Sequence, residues 1–573
     1  MQCGRPRRAP QLSFALSLGL GTFLAACTGV IGDGTPPSKD GTPNSSGGGT
    51  AGTGSTLPNP QTCQPGTEPH RPPQRVVLLS ELEKINGIRD LLGADALPAE
   101  GLPTDLGRTL DLDLVNQVSA SSLDAHDKLV TGVGKNVKTR AAALTQCAAG
   151  VAPDACAKQY AAKLAERAFR RTVTEEELTD LMAAYQAGAA ISHDDGIATL
   201  TEAIFFAPSA MYRRELGGAA SGQVTSLTSW EMADQLSHLL YSSVPDDGLV
   251  NAAKADKLTT DDGIRAELER LLPTERVKKS LSQTMLAWLQ TGKLAQVTKD
   301  AKYADFDALQ QSMYTETTMF IDNFLWGEPG SVGDLLTSTR TFVDPGLAKF
   351  YGVTYPGAQG STGFMPVDLP ANQRAGILTQ ASLLSIKAGP DNTSVIFRGL
   401  FLHDKILCLP EVPAPQDEST LMKIAQQEMG VETEMQKAAY RKATSPCSGC
   451  HAQFDAFGLA LEVFDGIGRY RTMDETGATI DPTVDLSFFA DQGLSGKVGI
   501  VDLAQQLKTS GKFATCLSSQ MMSYAANYVL HEDDCGVQAV GKSLTPGSDT
   551  FTDMVRSIAL SPTFRTRSIT GAM

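Results

Sequence analysis

Positive charge, long apolar runs and alternating apolar–polar runs are all scarce in this 573-residue sequence. Its 49 lysines and arginines are outnumbered by 64 acidic residues, which gives a formal net charge of −15, and no basic patch stands out. This balance argues against nucleic-acid binding and electrostatic attachment to anionic lipid, and it favours a cationic partner. G-x-S-x-G, H-E-x-x-H and a glycine-rich phosphate loop after a strand are also missing, so the enzyme classes built on them have no support.

The one long apolar stretch lies at the N-terminus. A basic segment precedes an apolar region that is too short for a membrane-spanning helix and that ends in the tetrapeptide LAAC at Cys27. This pattern resembles the signal peptide and lipobox of bacterial lipoproteins. The resemblance implies that residues 1–26 are removed and that Cys27 is acylated, so that lipid anchors the exported protein to a membrane. An ordinary signal peptide with an incidental cysteine is the alternative.

The residue after Cys27 bears on which membrane holds the anchor. Thr28 stands where an aspartate retains such lipoproteins at the inner membrane, so by analogy the outer membrane is favoured. Residues 27–62 that follow are rich in glycine, serine, threonine and proline and have almost no bulky apolar side chains. Because such a segment cannot build a core, we predict a disordered tether that holds the folded body away from the lipid.

Ten cysteines are ordinary for an exported protein and many for a cytosolic one. Removing Cys3 with the signal peptide and acylating Cys27 leave eight. Cys147–Cys156 encloses a short segment and Cys516–Cys535 encloses a helix-like one, so both pairs are predicted to form local disulfides. The remaining four are Cys63, Cys408, Cys447 and Cys450.

Apolar residues at helical spacing dominate the rest of the chain. Thr174 with Glu177, and Thr228 with Glu231, have the spacing of capping boxes ahead of amphipathic runs. Clear period-two runs are few, and residues 351–367 form either a small hairpin or a loop. The predicted fold class is therefore mainly α.

Four segments carry more distinctive motifs. They are LLSELEKINGIRDLLG (residues 78–93), LAERAFRRTVTEEEL (164–178), SWEMADQLSHLLYSSVPDDGL (229–249) and SPCSGCHAQFDAFGLALEVFDGIGRYR (445–471). Together they resemble a multidomain family of planctomycetes and myxobacteria, in which several domains of unknown function accompany one planctomycete-type cytochrome-c-like domain. The resemblance implies helical domains at residues 70–145, 146–220 and 221–355, a cytochrome-c-like domain at 370–473, and a C-terminal helical domain at 480–565.

The last of these segments contains a C-x-x-C-H motif formed by Cys447, Cys450 and His451. Attachment of haem c needs two thiols one helical turn apart and an adjacent imidazole to ligate the iron. We therefore predict haem c, with thioethers at Cys447 and Cys450 and His451 as the proximal iron ligand. Cys63 and Cys408 would then remain to pair. A structural disulfide, a thioredoxin-like redox pair and a zinc site are the alternatives.

The sequence does not identify a second ligand for the iron. Many relatives carry a His-Arg pair before the first cysteine, where this chain has Tyr440 and Arg441. An open sixth position would leave the iron accessible to peroxide or oxygen. The nearby acidic residues Asp455, Glu462 and Asp465 are expected to be solvated or to cap turns. Spacing does not choose among the other candidates, which are Met429, Met435, Met473, Met521, Met522, His403 and His531.

Two functions from different classes follow from these features. The first is a lipid-anchored monohaem protein that transfers electrons to or from an exported redox partner. The second is a haem-free helical surface lipoprotein that acts as a scaffold or binding module, with structural disulfides. No catalytic residue is predicted, and an electron carrier is favoured over an enzyme, although a role as an oxidoreductase component stays open.

Overall fold

The computed structural model describes residue 63 and residues 69–100, 120–327, 330–412, 433–445, 447–545 and 547–569. These residues are mainly helical, which confirms the predicted fold class. The predicted signal peptide, the acylated Cys27 and the tether at residues 27–62 lie outside the described residues. Within the described ranges, no helix combines the length and apolar character needed to cross a membrane.

An N-terminal group of helices packs around its own apolar core, in which Val133, Tyr185 and Ile197 are buried. The predicted capping box of Thr174 and Glu177 is confirmed, since each side chain bonds the other residue's backbone N–H. A second box at Ser80 begins the first helix. The helices of this group are Glu81–Leu92, Ala120–Lys138, Ala141–Thr145, Pro153–Phe169, Glu175–Ala189, His193–Phe206 and Pro208–Met211.

A second, larger apolar core extends along the chain from Leu227 to Phe564. It is therefore shared by the middle and C-terminal helices, while a smaller cluster surrounds Phe306 and Ile467. The capping box of Thr228 and Glu231 begins the first helix of this part, as predicted. The middle helices are Ser229–Tyr241, Asp247–Lys254, Asp261–Leu271, Glu275–Trp288, Phe306–Asp322, Asp334–Thr337 and Pro345–Tyr351.

The remaining helices are shorter on average and include two π-helical turns, Asn323–Gly327 and Leu402–Ile406. The α-helices after residue 380 are Ala381–Ile386, Val395–Phe401, Glu434–Ala443, Cys447–His451, Asp455–Leu459, Ile500–Thr509, Lys512–Ala526, Cys535–Ser543, Phe551–Leu560 and Pro562–Arg565. Short 3-10 turns lie at Ala94–Ala96, Lys257–Thr259, Thr291–Gln296, Ala301–Tyr303, Gly376–Thr379 and Ser487–Gln492.

Strands are short and form small antiparallel sheets. Arg75–Leu78 pairs with Tyr212–Glu215, and Val484–Asp485 pairs with Lys497–Val498. Val224–Ser226 lies between Ala220–Ser221 and the C-terminal strand Thr566–Ser568. The segment at residues 351–367, predicted to be a hairpin or a loop, ends in the strand Met365–Asp368, which pairs with the earlier strand Arg340–Val343.

Three disulfides join described cysteines; one was predicted and two were not. Cys147–Cys156 is present. The predicted Cys516–Cys535 bond is wrong, because Cys516 bonds Cys408 and Cys535 bonds Cys63. Cys516 lies on the helix Lys512–Ala526 with its sulfur against the carbonyl of Lys405, so it faces the preceding π-helical turn rather than the helix that follows. Cys63 and Cys408 accordingly do not pair with each other.

A buried carboxylate joins the first and last strands. Glu215 accepts hydrogen bonds from Arg75 Nε at 2.8 Å, Arg567 Nε at 2.9 Å and Gln235 Nε2 at 2.6 Å. Burial raises the pKa of Glu215, but the guanidinium groups of Arg567 and Arg75 lower it by more, to about 2. The carboxylate is therefore ionised at neutral pH, and with the Cys63–Cys535 bond it ties the beginning of the folded body to its end.

A second buried carboxylate has the opposite character. Glu316, on the helix Phe306–Asp322, accepts hydrogen bonds from Thr341 Oγ1 at 2.7 Å and from the Tyr351 hydroxyl at 2.8 Å. Burial raises its pKa to about 7, since these two neutral donors only partly replace the lost water. The same Tyr351 hydroxyl accepts a hydrogen bond from the backbone N–H of Ala381. The carboxylate therefore supports the junction between the middle helices and the segment that follows.

Glu316→Gln should therefore stabilise the protein in a pH-dependent manner. The folded state binds a proton at Glu316 more tightly than the unfolded state, so wild-type stability falls as the pH rises from 4.5 through about 7. The loss corresponds to about 3 kcal/mol, or roughly 5–10 °C in melting temperature for a domain of this size. Thermal unfolding should show equal melting temperatures at pH 4 and a higher one for the variant at pH 8. A difference in melting temperature between the two proteins that does not change with pH would contradict a raised pKa for Glu316.

Candidate functional site

The C-x-x-C-H residues form a short helix of their own, Cys447–His451. Cys447 is buried and Cys450 is partly exposed, and both are free thiols. Residues three or four apart on a helix lie on the same face. Cys450 and His451 therefore lie on the same side of this turn as Cys447. The other described cysteines are all in disulfides. Cys447 and Cys450 are thus the described thiols that remain available for chemistry.

A buried ion pair orients His451. The Nδ1 atom of His451 lies 3.0 Å from Asp455 Oδ1, one turn further along the chain. The second oxygen of Asp455 accepts a hydrogen bond from Arg441 Nε at 3.2 Å, and these two residues are only 6% and 1% exposed. In the tautomer whose Nδ1–H donates to this carboxylate, the Nε2 atom carries the lone pair. This is the arrangement that metal-ligating histidines commonly have.

The acidic residues near the motif are more buried and make more contacts than the sequence indicated. Asp455 and Glu462 are buried, so the expectation of solvated carboxylates is wrong for both. Glu462 accepts a hydrogen bond from Thr393 Oγ1 and forms an ion pair with Arg471. Asp465 does cap a turn, because its carboxylate accepts the backbone N–H groups of residues 467 and 469. These contacts hold the segment rather than form a catalytic pair.

Two glycines bring the motif against the helix Val395–Phe401. A Cβ atom on Gly458 would lie 1.9 Å from the carbonyl oxygen of Val395, and one on Gly399 would lie 2.3 Å from the carbonyl oxygen of Phe454. Real Cβ contacts are never this short, so the two backbones cross at a distance that any side chain would prevent. Gly458 belongs to the Asp455–Leu459 helix directly after the motif. The crossing therefore fixes where the motif sits.

An arginine on the same helix holds the chain beyond the motif. Arg398 is 1% exposed and donates hydrogen bonds to the carbonyl oxygens of Leu461 at 3.0 Å, Phe464 at 2.7 Å and Asp465 at 2.6 Å. Burial lowers its pKa to about 10, which leaves the guanidinium charged at neutral pH. One side chain thus satisfies three carbonyl groups in the loop that follows the helix Asp455–Leu459.

The helix Val395–Phe401 continues into the π-helical turn Leu402–Ile406, which carries His403. His403 is fully buried, and its Nδ1 lies 2.7 Å from Asp404 Oδ1. Its Nε2 is buried without a hydrogen-bond partner among the described residues, an arrangement that costs about 1–3 kcal/mol. The imidazoles of His403 and His451 both contact the ring of Phe454, at centroid distances of 6.5 and 5.0 Å.

The other candidates for a second iron ligand have less suitable surroundings. Met473 is 59% exposed and His531 is exposed, whereas Met521 and Met522 pack within the large apolar core. Met435 packs against that same core, and Met429 lies outside the described residues. Tyr440 precedes Arg441, and the contact of Arg441 with Asp455 is a structural role that sequence reasoning did not find. In the described part of the chain, no group of three or more His, Cys, Asp or Glu side chains is arranged to hold a metal ion.

Four family models match successive parts of the chain, and each is described as a protein of unknown function. They are DUF1595 at residues 156–215, DUF1592 at 227–353, DUF1588 at 374–474 and DUF1585 at 498–564. The resemblance is thereby confirmed in its coarser form, a multidomain chain of families of unknown function. The C-x-x-C-H motif and His403 both fall in the third range. Neither a curated protein nor a solved structure matches the chain.

Gly458→Ala should disrupt the helix crossing that positions the motif. The added methyl group would overlap a backbone oxygen that cannot turn away, so the helices must separate, at a cost of about 1–3 kcal/mol or more. Thermal unfolding under non-reducing conditions should show a lower melting temperature. Gly449→Ala is the matched control, because Gly449 lies within the motif and has open space around its Cα. Equal melting temperatures for the two variants would contradict the crossing.

Proposed function

We propose that this multidomain chain, built from four successive families of unknown function, carries one covalent haem c and transfers electrons outside the cytoplasm. The observation that carries the proposal is the C-x-x-C-H helix, on which two free thiols accompany a histidine held by a buried carboxylate. In this proposal Cys447 and Cys450 form the thioethers, and His451 is the proximal iron ligand.

The residues present fit such a group chemically. Each thiol would add across a vinyl group, so that its sulfur bonds one vinyl carbon and its hydrogen goes to the other, and no oxidant or reductant is consumed. The step needs reduced thiols, and Cys447 and Cys450 are the described cysteines outside disulfides. When bound, haem supplies reversible one-electron chemistry at its iron.

The surrounding residues would set the properties of the iron through His451. Asp455 would accept a hydrogen bond from Nδ1–H, which fixes the ring orientation and increases the electron donation of Nε2. Arg441 neutralises that carboxylate and holds it in place. An increase in ligand basicity favours the oxidised iron, so the hydrogen bond from His451 to Asp455 would lower the reduction potential.

The partner and location follow from the same proposal. A net charge of −15 favours a cationic redox protein, because opposite charges steer the encounter of two electron-transfer partners. Acylated Cys27 and the tether at residues 27–62 would hold the body at a membrane, with the outer membrane favoured, where an exported partner could reach it. The proposal includes no nucleic acid. The competing function is a haem-free surface lipoprotein that acts as a scaffold.

Spectroscopy of the mature protein tests this proposal. Expression together with the c-type maturation machinery should give a coloured protein with the pyridine haemochrome spectrum of haem c. Cys447→Ser with Cys450→Ser should abolish covalent haem, since no thiol remains to add, and His451→Ala should give poor incorporation or an altered spin state. The control removes the Cys147–Cys156 disulfide by two serine substitutions and should keep the haem. A colourless wild-type protein would favour the scaffold.

A further inference from the structure

His403 is a buried histidine with an unused nitrogen. Its side chain is fully enclosed, yet its Nε2 has no hydrogen-bond partner among the described residues. Buried polar atoms are normally paired, so an orphan of this kind in a well-packed region calls for a ligand that completes it. An imidazole nitrogen that carries a lone pair can bind a metal ion, and Nε2 carries it in the tautomer whose Nδ1–H donates to Asp404, at 2.7 Å.

The segment that carries His403 is held firmly in place. It is a π-helical turn, a departure from α-helical geometry that often occurs at functional sites. The Cys408–Cys516 disulfide closes directly behind it, and Gln520 Nε2 donates to the carbonyl of Lys405 at 3.0 Å. On its other side, the glycine crossing joins the preceding helix to the helix that follows the C-x-x-C-H motif. The nitrogen is therefore fixed relative to the motif.

His403 and His451 share the same local chemistry. Each has its Nδ1 against a carboxylate, Asp404 in one case and Asp455 in the other, which directs each Nε2 lone pair away from its acidic partner. Both rings also contact Phe454. Two imidazoles with the same carboxylate contact, both beside one aromatic ring, are nitrogen donors of the type that haem iron takes.

We propose that His403 Nε2 would be the second protein ligand of the haem iron, together with His451. This inference rests on the proposed function, because it requires the haem to be attached at Cys447 and Cys450. The sixth position is then filled, and the protein serves as an electron carrier rather than as a site for peroxide or oxygen.

The spin state of the ferric iron tests this assignment. The wild-type protein should be low-spin, and His403→Ala should lose the low-spin spectrum and its electron paramagnetic resonance signal. Added imidazole should restore both by occupying the space that the side chain leaves. Ferrous His403→Ala should also bind carbon monoxide rapidly, whereas the wild-type protein should resist it. His531→Ala and Met473→Ala, which change exposed side chains, are controls and should match the wild-type protein.

The outcomes separate the two proposals. A wild-type protein without covalent haem, as measured by pyridine haemochrome, overturns the proposed function itself. Covalent haem together with a high-spin wild-type iron, or with a low-spin spectrum unchanged by His403→Ala, overturns only the assignment of His403. If His403→Ala does not accumulate, His403→Met takes its place, since methionine can also ligate iron. That variant should gain a methionine-to-iron charge-transfer band, and a wild-type spectrum in it would overturn the assignment.

Discussion

The close crossing of two short helices at Gly399 and Gly458 is the constraint on which the candidate site depends. A side chain on either residue would collide with a backbone oxygen of the other helix, so only glycine permits the approach. The crossing places the residues after the C-x-x-C-H motif against the helix that leads to His403. Arg398 adds hydrogen bonds to three carbonyl groups beyond it, of which those of Leu461 and Asp465 also accept a backbone N–H. Backbone contact at the two glycines therefore sets the relative position of the two helices, and the Arg398 side chain provides donors for nearby buried carbonyl groups.

Charged groups have two distinct structural uses in this protein. Glu215 is ionised because the guanidinium groups of Arg75 and Arg567 surround it, and it joins strands from opposite ends of the folded body. Arg441 and Asp455 form a similar buried pair, but their effect is on the orientation of His451. Breaking one partner of such a pair leaves an uncompensated buried charge, which costs more than the intact pair contributes. Both pairs therefore fix geometry more than they add stability.

Sequence reasoning succeeded where the signal was local. Capping boxes at Thr174 and Thr228, the helical class and the succession of families all depend on neighbouring residues or on motifs within one segment. It failed where the partner lies far along the chain. Cys516 bonds Cys408 across 108 residues and Cys535 bonds Cys63 across 472, and no spacing rule brings such residues together. Sequence alone also could not select His403 among the seven candidates for a second iron ligand, because its burial and its unpaired nitrogen arise only from packing.

The disulfide that the sequence mispaired explains why the third and fourth matched ranges should act as a unit. Cys408 closes the turn that carries His403, and its partner Cys516 lies on a helix of the C-terminal range, as does Gln520, which bonds the same turn. The glycine crossing packs the helix that follows the motif against the helix that leads into that turn. Two imidazoles can serve one iron only if their separation is fixed, because an iron–nitrogen bond tolerates little variation in length. The C-terminal helices are thus part of the proposed site although none of their side chains would touch the haem iron.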